Sequence, residues 1–133
     1  MSPRTIFLSR LIGLYCILTP LSLVTHKDAS VAAVTALFHS SSMLLIVGVI
    51  GLAAGLAIVL AHNIWSGGAL PVVVTLVGWT SLVKGLCFLF LTPEAAANLL
   101  ETLHYDEYFL LYLSISFLIG VYLTYAGFKP ASR

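Results

Sequence analysis

Four stretches of this chain, Ile6–Val24, Ser41–Ala61, Leu70–Leu91 and Tyr108–Phe128, are strongly apolar and nearly free of charge. Each is close to the roughly 20 residues that a helix needs to cross the hydrocarbon of a bilayer. In lipid every backbone N–H and C=O must be satisfied within the segment, so segments of this kind fold as helices. The remaining composition agrees: 60% of the 133 residues are hydrophobic and 8% are charged, against about 25% charged in a soluble domain. The expectation is an all-α polytopic membrane protein, one four-helix transmembrane domain over residues 1–133, with the lipid bilayer as its first partner. The initial stretch follows Arg4 but lacks a small-residue cleavage site, so it reads as a retained helix rather than a signal peptide.

Charge placement gives an orientation. Arg4, Arg10, Lys129 and Arg133 lie towards the two termini, whereas Lys27 and all five acids (Asp28, Glu94, Glu101, Asp106 and Glu107) lie in the connections on the other side. Positive flanks stay in the cytoplasm, so both termini are expected there. The two outer connections carry helix signals of their own. Thr92, Pro93 and Glu94 form a cap, a first-turn proline and a first-turn acid, and Ala96, Leu99, Leu100 and Leu103 follow at one-face spacing. Asp28 precedes a similar stripe of Val31, Val34, Leu37 and Phe38. Two short amphipathic helices at the outer interface are expected, with their apolar faces in lipid or on the bundle.

The chain also resembles itself. Gly13–Pro20 reads like Gly85–Pro93 with one residue inserted, each ending in Thr-Pro. His39 and His104, Gly55 and Gly120, and Ala61 and Ala126 are then each 65 residues apart. Halves 6–63 and 70–128 would be parallel two-helix repeats about an axis along the membrane normal. Gly51-xxx-Gly55 matches Ser116-xxx-Gly120, and small residues at this spacing let helices approach closely in lipid. These two faces are expected to pack on one another or on a second subunit, with Gly48, Ala54 and Ala57 widening the first.

Lys84 is the polar residue that most needs explaining. It follows Leu70 by 14 residues and precedes Leu91 by 7, which puts it about 21 Å from one end of its helix and about 10 Å from the other. A charge at that depth must be paired, hydrated or deprotonated. Thr80 and Ser81 share its helix face, and Tyr112 and Ser114 fall near its depth, so these five form a candidate intramembrane polar site. His26, His39 and His104 lie among the outer acids without metal-ligand spacing, and Cys16 and Cys87 read as small packing residues. No catalytic group, metal or cofactor is expected, and no basic run suggests nucleic acid.

A second group of polar residues closes the second span: His62, Asn63 and Trp65, facing Trp79 across a short turn. Trp65 suits an interface anchor, and His62 and Asn63 have Thr75 and Trp79 within reach. His62-Asn63-Ile64-Trp65 followed by Gly78-Trp79 and Lys84-Gly85 resembles a pattern of small uncharacterised bacterial four-helix inner-membrane proteins. The resemblance covers the second and third spans and their link. It implies a bacterial inner-membrane location and brings no assigned activity. The reading favoured by the residues is a non-enzymatic membrane protein acting as an oligomerising or accessory subunit, with a second copy or another membrane protein as partner. The alternative is a small channel or transporter for an anionic or small polar solute that uses Lys84.

Overall fold

A computed structural model describes residues 2–105 and 107–129; Asp106 and Arg133, counted above among the charges, lie outside the described residues. Six helices follow in order: α1 (Pro3–Thr25), α2 (Lys27–Phe38), α3 (Ser41–Ala61), α4 (Ala69–Phe90), α5 (Pro93–Thr102) and α6 (Phe109–Phe128). Among them α1, α3, α4 and α6 are long and apolar enough to cross a membrane. Their limits differ from the expected spans by three residues at most. The largest shift, at α1, has a local cause: Ser2 Oγ accepts the Thr5 N–H at 3.3 Å and Pro3 fills the first helical position.

Both short connection helices are present. Thr92 caps α5 by accepting the Ala95 N–H at 3.2 Å, with Pro93 and Glu94 in the first turn. Leu37 and Phe38 of α2 pack with Leu44 of α3, Phe88 of α4 and Ala96 of α5. The apolar stripes therefore lean on the ends of α3 and α4. In α5 the buried face is Ala96, Ala97 and Leu100; Leu99 and Leu103 are exposed.

The long helices associate as two antiparallel pairs, α1 with α6 and α3 with α4. Close approach needs glycine in both. A Cβ at Gly55 would strike the Leu82 backbone, and one at Gly85 would strike Leu52. In the other pair a Cβ at Gly13 would meet Thr124, and one at Gly120 would stand 2.9 Å from Cys16. The small faces of α3 and α6 are thus turned to α4 and α1 of the same chain. Gly48 joins the first face against Leu89, whereas Ala54 and Ala57 are exposed. A core of Leu8, Ile12, Leu70, Val74 and Leu123 joins the two pairs.

Pro20 lies inside α1, where it has no N–H to offer the Cys16 carbonyl. The Ser116 hydroxyl of α6 lies 3.5 Å from that carbonyl and helps to satisfy it. The two Thr-Pro pairs therefore differ in use: Pro20 is spanned by a helix, and Pro93 starts one. Large side chains point outward along the whole length, with Leu60 81% and Phe90 83% exposed.

The start of α1, the end of α6 and the α3–α4 turn share one end of the molecule, and α2 and α5 lie at the other. At the first end Arg10 Nε donates to the Gly127 carbonyl at 2.8 Å, and its guanidinium lies 4.5 Å from the Phe128 ring centroid. At the second, Tyr105 stacks on Tyr112 at 5.8 Å and meets Phe109 edge-on at 5.6 Å. Burial pushes the Tyr105 phenol above its ordinary 10.0.

Candidate functional site

α3 ends at Ala61, and the backbone turns extended at His62, whose N–H still reaches the Ile58 carbonyl at 2.7 Å. Gly67 and Gly68 then take φ values of 89° and 115°, a region that glycine enters without steric penalty. This turn delivers the His62 ring beneath the start of α1. There its Nε2 lies 2.8 Å from Thr5 Oγ1 and its Nδ1 lies 3.1 Å from Thr75 Oγ1. All three side chains are at most 1% exposed.

The partners of Thr75 fix how its hydroxyl is used. Thr75 Oγ1 lies 2.9 Å from the Pro71 and Ile64 carbonyls and accepts the Ile64 N–H at 3.0 Å. Its single hydrogen goes to a carbonyl, which leaves a lone pair for His62 Nδ1–H. His62 Nε2 is hydrogen-bonded to Thr5 Oγ1, which is in turn hydrogen-bonded to Ser2 Oγ at 2.8 Å. Ser9 Oγ donates to the Thr5 carbonyl at 2.8 Å. Through both ring nitrogens His62 joins α1, α3 and α4. A groove of about 380 Å³ lined by Ser2, Pro3, Arg4, Ala61, His62 and Ile64 opens beside it.

Asn63 performs a similar task nearer the surface. Its Oδ1 accepts from Trp65 Nε1 at 2.8 Å and from Trp79 Nε1 at 3.4 Å. The expected His62, Asn63, Trp65 and Trp79 group therefore comes together, in two adjacent halves. Thr5, Ser9 and Ser2 were missed by the sequence reading. Their signal was available as the i, i+4 pair Thr5 and Ser9 on an otherwise apolar helix, next to the buried Leu8 and Ile12.

The five residues of the proposed intramembrane site are not joined by hydrogen bonds. Thr80 donates to the Leu76 carbonyl at 2.8 Å, and Ser81 to the Gly51 carbonyl of α3 at 3.2 Å. Tyr112 donates to Leu103 at 2.9 Å and Ser114 to Leu110 at 2.7 Å. Lys84 is exposed on α4, with Nζ 5.9 Å from the Phe88 ring centroid. Among the described residues it makes no hydrogen bond or ion pair, and no group of three or more His, Cys, Asp or Glu is placed to hold a metal. His39 closes α2, and His104 sits in the turn after α5 with φ 50°.

Fold and site together define an all-α protein with four helices of membrane-spanning length, tied at one end by buried hydrogen bonds. Compared with known protein families, characterised proteins and solved structures, the chain matches none.

Proposed function

We propose that this chain is a multi-pass protein of a bacterial inner membrane, with both termini cytoplasmic, that serves as an oligomerising or accessory subunit of a membrane assembly and performs no catalysis. The observation that carries this reading is how its buried polar groups are used. Thr5, Ser9, His62 and Thr75 bind one another or backbone, so they hold helices together instead of facing a reaction chamber. Outward side chains such as Leu60 and Phe90 suit lipid or a partner helix.

The repeat reading draws support from the helix pairing. A two-fold that exchanges 6–63 with 70–128 carries α1 onto α4 and α3 onto α6, and so the α1–α6 pair onto the α4–α3 pair. The transport alternative needs a polar path beside Lys84. Because Lys84 faces out from α4, that path would run between subunits.

Native mass spectrometry of the protein extracted from its own membrane in mild detergent tests the reading. The expected particle holds more than one chain, or this chain with another protein. A lone 14.3 kDa chain under every mild condition would overturn it. Anion flux in proteoliposomes that is lost in Lys84→Met would favour transport instead.

A further inference from the structure

The outward face of α4 carries a charge, Lys84, that no hydrogen bond or ion pair answers among the described residues. α4 gives Gly78 and Gly85 to α3 and Leu70 and Val74 to the core. Leu76, Thr80, Val83 and Cys87 remain exposed beside Lys84 on the α4 surface. The nearby hydroxyls of Thr80 and Ser81 are engaged with Leu76 and Gly51. The sequences of α1, α3, α4 and α6 contain no aspartate or glutamate. A second copy therefore has no carboxylate to offer at this depth, and symmetric docking through this face would bring two ammonium groups together.

We propose that the Lys84 face of α4 docks against a transmembrane helix of a different membrane protein that presents an aspartate or glutamate at the level of Lys84. This rests on the subunit reading above and specifies its partner. Pairing removes the penalty of an isolated charge within the bilayer, and the apolar residues flanking Lys84 supply the packing that associates helices in lipid.

The test is site-specific photocrosslinking in native membranes, with Val83→benzoylphenylalanine in the full chain and sequencing of the adduct. The expected adduct is a transmembrane segment of another protein with an acid within about one helical turn of the attachment point. Lys84→Met should lower its yield about tenfold, and exchanging the two charges between the partners should restore it. If Lys84→Met fails to fold, the wild-type adduct map still decides. An adducted helix without an acid overturns the proposal, as does an equal loss in Asp106→Asn, which would place the counter-ion within this chain. Adducts only with a second copy defeat the proposal and leave the subunit reading standing. Adducts only with lipid at Val83 defeat it too; the same result at Tyr15, Leu60 and Leu118, on other exposed faces, defeats both.

Discussion

The two ends of the molecule are held by different physics. At the end that carries the start of α1, Thr5, His62 and Thr75 tie three helices through buried hydrogen bonds, and Arg10 reaches the last turn of α6. At the other end Leu44, Phe88 and Ala96 pack with Phe38, whose ring meets Phe88 edge-on at 5.4 Å. The polar ties join residues far apart in the chain, Thr5 to His62 and Arg10 to Gly127. The apolar cluster at the other end gathers helices that follow closely on one another. Where no short connection brings helices together in lipid, hydrogen bonds add to the apolar core of Leu8, Ile12, Leu70, Val74 and Leu123 a preference for one neighbour, because apolar burial discriminates little between a helix and a lipid tail.

The largest effect is expected from a change that damages both ends at once. The α3–α4 pair runs between them, and Gly55→Leu would drive a side chain into the Leu82 backbone. A loss of about 3 kcal/mol or more is expected, at the upper range for overpacking. Unfolding in mixed micelles, followed by circular dichroism, measures it. Unchanged stability would mean that α3 and α4 do not approach closely.

His62→Ala should come next and act on one end only. It leaves the Thr5 and Thr75 hydroxyls without their shared partner and opens a hole, for a loss of about 2–3 kcal/mol. A cycle with Thr75→Val should be strongly non-additive, and a cycle with Phe88→Ala should add, since neighbours couple and distant sites do not. Phe88→Ala alone should lose about 2 kcal/mol. That is below the 3–5 kcal/mol typical of a soluble core, because part of its apolar gain is available from lipid. Coupling between His62 and Phe88 would break the picture of two independently held ends.

How much of this could be read from the sequence follows the same division. The spans and both short helices were legible because apolar runs, caps and first-turn prolines are local signals. His62 with Thr75, and Asn63 with Trp79, were within reach because a short turn brings them near. Thr5 was not, since nothing local says that the start of α1 meets the end of α3. The Gly51/Gly55 and Ser116/Gly120 faces are expected to meet each other or a second subunit, whereas they meet α4 and α1 of the same chain. Spacing marks a face that permits close approach and does not say which helix takes it. Lys84 stood out from its depth alone, whereas Tyr112 and Ser114 were placed with it by depth without knowledge of rotation about the α6 axis.

The smallest effect should come from Arg10. Its Nε–H bonds the Gly127 carbonyl at the negative end of α6, and its guanidinium rests on Phe128. Both interactions are favourable but partly solvated, so Arg10→Ala should lose only about 0.5–1 kcal/mol. Arg10→Lys keeps the charge near the helix end and gives up the planar stacking and the fixed donor, so its loss should fall between wild type and Ala. The unfolding assay used for His62→Ala ranks these variants directly. If Arg10→Ala proved as damaging as His62→Ala, this end would depend on its charged contact rather than on the buried Thr5–His62–Thr75 network. The contrast between the two ends would then be one of charge against packing, and raising the salt concentration should weaken Arg10 without touching His62.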